Sequence, residues 1–150
     1  MKTIFTTLFA ISLTILISAF SGPRPEAAYS ITAEVTGLRN ADGILQFALY
    51  NTKGSIPDEH YRKYYRLLKT EITNRSAKIT FQDVPAGIYA VNIFHDENGN
   101  GKIDKGFLLP KEGIGFSNYE SIGLRNKPSF EKASFRVEGD TSIVIKVIYM

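Results

Sequence analysis

The sequence predicts an all-β fold, an antiparallel β-sandwich of about seven strands with an immunoglobulin-like architecture and one long loop. Apolar and polar residues alternate in several short segments, which is the period of a half-buried strand. Short segments rich in Gly, Asn, Asp and Pro separate most of them, and such residues are typical of turns. Only residues 58–70 show helical spacing, and this stretch also alternates as a strand near its end.

The predicted strands are residues 31–36, 44–50, 67–73, 78–81, 88–94, 130–137 and 141–148. Residues 88–94 carry apolar side chains on both faces, which predicts a central strand. The turn before it contains Pro85, which presets φ, and Gly87, which is expected to supply a positive φ. Residues 95–128 contain no clear strand pattern and are predicted to form the long loop, and loops of this length are usually functional.

The N-terminus has the pattern of a secretory signal peptide. Met1 and Lys2 precede an apolar run over residues 4–20, and small residues allow cleavage after Ser21, with Ala27 or Ala28 as other options. An uncleaved membrane anchor is the alternative, although the run is short for a bilayer span. We therefore predict a signal peptide at 1–21, a linker at 22–28 and a β-sandwich domain at 29–150, exported to the periplasm or the cell surface.

The composition excludes several classes of site. The chain has no Cys and two His, so disulfides and a lipid-modified cysteine are excluded and a structural zinc site is not expected. The net charge of +3 is small, and together with export it argues against a nucleic-acid partner.

Oxygen-bearing groups recur at alternate positions directly after the central strand. They correspond to positions 1, 3, 5, 7 and 9 of a calcium-binding loop, which here are Asp96, Asn98, Asn100, the Lys102 carbonyl and Asp104. Gly101 supplies the sharp bend. Position 12 of such a loop carries a bidentate Glu, but here it is Phe107. We therefore predict that Glu112 folds back and supplies the missing carboxylate ligand. The alternative is an Asn/Gly-rich turn whose side chains cap their own backbone.

Four segments in order resemble one known family. They are residues 81–91, 95–104, 112–118 and 128–133, and together they look like the bacterial domain-of-unknown-function family 2141 over residues 30–149. The resemblance implies an exported protein with no established activity. The segment at 81–91 is also similar to transthyretin-like domains, so the resemblance implies an immunoglobulin-like or transthyretin-like sandwich. The loop is similar to the calcium loops of B-type repeats in bacterial adhesins, except at position 12.

Other candidate residues have weaker patterns. His95 could act as a general base, but no partner nucleophile is evident. Ser117 lies outside the strand–turn–helix context of a nucleophile elbow and is interpreted as a turn serine. The basic-aromatic run at residues 61–66 is interpreted as an exposed edge whose tyrosines pack. An apolar set within the predicted loop should fold onto the end of the sandwich or form a binding patch: Phe107, Leu108, Leu109, Ile114, Phe116 and Tyr119.

These observations predict an exported, non-catalytic β-sandwich module that is stabilised by Ca²⁺ and presents residues 95–128 to a partner. The partner would be a protein, a glycan or another envelope component, with no nucleic acid and no membrane contact beyond an uncleaved signal segment. Two alternatives stay open. One is an exported hydrolase that uses His95 with Asp96, Asp104 or Glu112, and the other is a carrier of a small apolar ligand.

Overall fold

The computed structural model describes residues 27–106 and 110–150. Over these residues the chain forms eight strands and one short helix: β1 (Ala28–Thr36), β2 (Ile44–Tyr50), β3 (Arg66–Thr70), β4 (Ser76–Pro85), β5 (Gly87–Asp96), β6 (Gly113–Phe116), α1 (Phe130–Ala133), β7 (Phe135–Val137) and β8 (Thr141–Lys146). The predicted signal peptide and most of the predicted linker lie outside the described residues. Within the described part, no helix is long and apolar enough to cross a membrane.

The strands form two sheets. Sheet 1 has the order β4-β1-β8, and sheet 2 has the order β3-β2-β5-β6 with β7 also paired to β5. All pairs are antiparallel except β1 and β8, which run parallel. The all-β sandwich prediction is confirmed, with eight strands rather than seven.

The main core lies between the two sheets because each strand turns its alternate apolar residues inward. Sheet 1 contributes Ile31, Ala33 and Val35 from β1, all fully buried. Sheet 2 contributes residues such as Phe47 and Ile93 from β2 and β5. Burial of each large side chain contributes about 1.5–3 kcal/mol, so this layer dominates the stability of the fold.

The outer face of sheet 2 is also covered. A second cluster contains Phe94 from β5, Ile114 and Phe116 from β6, and Phe130 from α1. Strand β5 is therefore buried on both faces along nearly its whole length, and its prediction as a central strand is confirmed. The candidate functional site lies in the segment between β5 and β6.

The structure corrects two element predictions. The predicted loop at 95–128 is interrupted by β6, which pairs with β5 through Asn92 opposite Phe116. The predicted strand at 130–137 begins instead as the helix α1, because the Ser129 side chain caps it by accepting the Lys132 N–H. Helical spacing buries Phe130 and Ala133 together in the outer cluster.

The turn between β4 and β5 differs from its prediction in detail. The positive φ is at Asp83 (53°), and Gly87 is not among the positive-φ residues of the described chain. Glycine is favoured at position 87 for a steric reason, because a Cβ there would lie 3.1 Å from the Tyr89 ring.

Candidate functional site

The candidate site begins at Asp96, the last residue of β5. Its backbone pairs with Ile44 of β2, and a Cβ at Gly43 would lie 1.9 Å from the Asp96 carbonyl oxygen, so only glycine fits there. The Asp96 carboxylate is buried and accepts the backbone N–H groups of Asn100 at 3.1 Å and Gly101 at 2.8 Å. One carboxylate therefore fixes the first turn of the loop, and Gly101 allows that turn with a φ of 72°.

Two asparagines continue the turn with their side-chain oxygens. Asn98 Oδ1 accepts the Asn100 N–H at 3.0 Å, and Asn100 Oδ1 accepts the Lys102 N–H at 2.8 Å. Their amide nitrogens both donate to Asp104 Oδ2, at 2.6 and 3.1 Å. The side chains of positions 1, 3, 5 and 9 are thus joined in one hydrogen-bonded network.

Glu112 lies against the same loop although it is separated from Asp96 by a long stretch of sequence. Its carboxylate is buried and bridges two backbone N–H groups, that of Glu97 at 3.0 Å and that of Asp104 at 3.1 Å. The Lys111 N–H also donates to the Asp104 carbonyl at 2.8 Å. These bonds close the loop by joining its two ends.

The network can hold the loop by itself or change on binding a cation. Over residues 27–106 and 110–150, no three His, Cys, Asp or Glu side chains group as metal ligands. The acidic groups accept N–H donors, and a cation bound through Asp104 Oδ2 would have to replace the two amide donors there. The geometry is therefore compatible with both the calcium loop and the self-capped turn.

A salt bridge between Arg39 and Glu97 joins this loop to the segment before β2. The Arg39 guanidinium pairs with Glu97 through two bonds of 2.6 and 2.5 Å and also donates to the Lys111 carbonyl at 3.1 Å. The hydrogen bonds from Arg39 lower the pKa of Glu97, and the same contact raises the pKa of Arg39. Arg39 thus connects the segment before β2 to both ends of the loop.

His95 is buried, and both of its ring nitrogens have hydrogen-bond partners. Its ring is completely buried, with Nε2 2.9 Å from the Asp42 carbonyl and Nδ1 2.8 Å from the Tyr149 hydroxyl. Because the carbonyl only accepts, we assign the proton to Nε2, and the Tyr149 hydroxyl then donates to Nδ1. The same hydroxyl accepts the Arg39 N–H at 3.1 Å, so every polar group of this set is satisfied.

Sequence reasoning missed Arg39 and Tyr149. The Arg39 guanidinium lies 4.5 Å from the centre of the Tyr149 ring, a cation–π distance. The two residues are far apart in the chain and belong to no motif, so no signal in a single sequence links them to the loop.

The other residues singled out from the sequence, Ser117, the basic-aromatic run and the apolar set, differ in their burial. Ser117 is buried and donates to the Ala133 carbonyl at 2.6 Å while accepting the Val91 N–H at 3.0 Å, so it joins β5 to α1. In the basic-aromatic run, Tyr61 stacks on Phe94, whereas Tyr64 is partly exposed. Of the predicted apolar set, residues 107–109 lie outside the described residues, and the other three are buried on sheet 2.

The Arg39–Glu97 pair makes stability depend on pH. The pKa of Glu97 is lowered from the ordinary value of 4.5 in the folded protein by its hydrogen bonds from Arg39, so its contribution to stability is present above the unfolded pKa and is lost as pH falls through the folded pKa. We expect the free energy of unfolding to decrease below about pH 4.5 more steeply in the wild type than in Glu97→Gln. Urea denaturation at a series of acidic pH values tests this, and parallel curves for the two proteins would contradict it.

Comparison with known proteins identifies the sequence family. The profile of a family described as "Uncharacterized protein conserved in bacteria", the domain-of-unknown-function family 2141, matches residues 33–145. No curated protein and no solved structure matches the chain. The matched range includes the whole loop from Asp96 to Glu112, and the resemblance stated from the sequence is confirmed.

Proposed function

Because the chain belongs to the bacterial domain-of-unknown-function family 2141, whose description names no activity, we propose its function from its own site. The chain is an exported, non-catalytic β-sandwich module that binds calcium in the loop from Asp96 to Glu112. The bound ion stabilises the loop, and the segments on either side of β6 are presented to an envelope partner. Support for export comes from the N-terminal sequence pattern alone.

One observation supports calcium above other ligands. The carboxylate of Glu112 lies against the loop at the Glu97 and Asp104 N–H groups, where it could replace the absent acid at position 12. The three carboxylates of Asp96, Asp104 and Glu112 do not group as metal ligands among the described residues, so they would have to converge when the ion binds. The amide oxygens of Asn98 and Asn100 and the carbonyl of Lys102 would supplement them. Such an all-oxygen set suits Ca²⁺, which tolerates irregular geometry, better than Mg²⁺, which requires a near-ideal octahedron.

The existing hydrogen bonds predict weak binding. The lone pairs of Asp104 Oδ2 are engaged by two amide N–H groups, and a cation that binds through this oxygen must displace them. Part of the free energy of calcium binding is therefore used to break these two hydrogen bonds. We therefore place the dissociation constant in the range of extracellular calcium modules, about 10⁻⁴–10⁻³ M.

Isothermal titration with calcium chloride tests this proposal. Glu112→Gln and Asp104→Asn keep the side-chain shape but remove a charge, and each should weaken calcium binding by about tenfold, or roughly 1.4 kcal/mol. Glu120→Gln is the matched control, because the Glu120 side chain is largely exposed and, among the described residues, pairs only with Lys146. Absence of binding in the wild type, or unchanged binding in both loop variants, would contradict the proposal.

The buried environment of His95 gives no support to the hydrolase alternative. Both of its ring nitrogens are engaged and no atom of the ring reaches solvent. A general base must approach the proton that it removes, and access to His95 would require its surroundings to open.

A further inference from the structure

A groove of about 700 Å³ lies on the outer face of sheet 2, beside the loop. Its floor is formed by Asn92 of β5 with Ile114 and Phe116 of β6, and Ile122 and Leu124 line one side. This volume is within the range of ligand-binding pockets, about 300–1,000 Å³. Because the floor residues are less than one-tenth exposed, a flat bilayer surface could not reach them, whereas a free small molecule could.

Asn92 gives the apolar floor one oriented polar group. Its amide nitrogen donates to the Gly115 carbonyl at 2.9 Å and to the Ile93 carbonyl at 3.2 Å. Both partners only accept, so the nitrogen must occupy that side and the orientation of Oδ1 is determined. Among the described residues Oδ1 accepts no hydrogen bond. A ligand that carries a hydroxyl group would satisfy it, whereas a pure hydrocarbon would leave it unpaired.

The rim of the groove carries two lysines and two acids, and one of the lysines forms no ion pair in the part of the chain that the structure describes. Lys105 pairs with Glu59 at 2.6 Å. The Asp58 carboxylate accepts the backbone N–H of Lys63 at 2.7 Å and the Tyr50 hydroxyl at 3.3 Å, and it forms no ion pair among the described residues. Lys127 also lines the groove, and its ammonium group forms no ion pair within residues 27–106 and 110–150. The groove therefore combines an apolar wall, a recessed acceptor and a cation at the rim.

We propose that this groove binds a free, single-chain carboxylic acid that carries a hydroxyl group on its hydrocarbon chain. The carboxylate pairs with Lys127, the chain covers Ile114 and Phe116, and the hydroxyl donates to Asn92 Oδ1. The proposal is independent of calcium binding, because it needs no ion at the loop.

A titration of the full chain with ω-hydroxy fatty acids of increasing chain length, below their micellar concentrations, tests the proposal. We expect saturable binding that is about tenfold weaker for the unsubstituted acid of the same length, since one hydrogen bond to a recessed acceptor is lost. Lys127→Gln should weaken binding severalfold, and the exposed Lys69→Gln should leave it unchanged.

Gly123→Trp provides a blocking variant. Gly123 lines the groove and a Cβ there has no atom within 4 Å, so an indole has room at this position, and binding should be lost. Gly139→Trp is the matched control, because position 139 is equally open and lies in the turn before β8. Absence of binding, equal binding by Gly123→Trp, equal affinity for the unsubstituted acid, or binding only to phospholipid vesicles would overturn the proposal.

Discussion

Asp96→Ala is expected to lower the free energy of unfolding by about 3 kcal/mol in calcium-free buffer. The buried carboxylate of Asp96 accepts two backbone N–H groups, and each hydrogen bond to a charged group contributes about 1.5–3 kcal/mol. Alanine removes both acceptor oxygens, so the backbone N–H groups of Asn100 and Gly101 lose their hydrogen-bond partner in the protein. Urea denaturation in the presence of a chelator measures the change.

Asp42→Ala is the matched control for this variant. Asp42 is exposed, and its side chain makes no hydrogen bond among the described residues, so its replacement should change stability by less than about 0.5 kcal/mol. If Asp96→Ala were equally mild, the Asp96 carboxylate would not organise the first turn of the loop.

His95→Ala is expected to destabilise the fold by about 3 kcal/mol or more. The substitution removes a fully buried ring and leaves the Tyr149 hydroxyl and the Asp42 carbonyl without their partner. A cavity and two lost hydrogen bonds act in the same direction. Thermal or urea denaturation measures this loss without any assumption about activity.

His60→Ala supplies the comparison, since His60 is the other histidine of the chain and is exposed. The free energy of unfolding of His60→Ala should lie within about 0.5 kcal/mol of that of the wild type. Tyr149→Phe, which removes only the hydroxyl, should cost about 1–3 kcal/mol because His95 Nδ1 then lacks a donor. Wild-type stability in both His95→Ala and Tyr149→Phe would contradict the structural role that we assign to His95.

Local patterns predicted the parts of the fold that depend on neighbouring residues. Strand β2 has the predicted bounds, Ile44–Tyr50, because Leu45, Phe47 and Leu49 fall on one face and the turns beside it are clear. Strand β5 was predicted as central because both of its faces are apolar. Helix α1 was missed because Ala133, Phe135 and Val137 alternate as in a strand, and only the cap at Ser129 and the cluster on sheet 2 identify the helix.

Long-range contacts set the limit of prediction for the site. The loop ligand positions are visible from their spacing, since each turn bond joins residues a few positions apart. Strand β6 has only four residues, and two of them are glycine, which is depleted in strands. Gly115 fits for a packing reason, because a Cβ there would lie 2.3 Å from the Lys146 carbonyl oxygen. Arg39 and Tyr149 likewise reach the site only through the tertiary fold.

The melting temperature of the wild type in calcium and in chelator tests the central claim most directly. At a calcium concentration ten times the dissociation constant, binding adds about 1.4 kcal/mol to stability, which should raise the melting temperature by about 5 °C. Asp96→Ala should melt at the same temperature in calcium and in chelator. Equal melting temperatures of the wild type in the two buffers would contradict calcium binding and leave the loop as a self-capped turn.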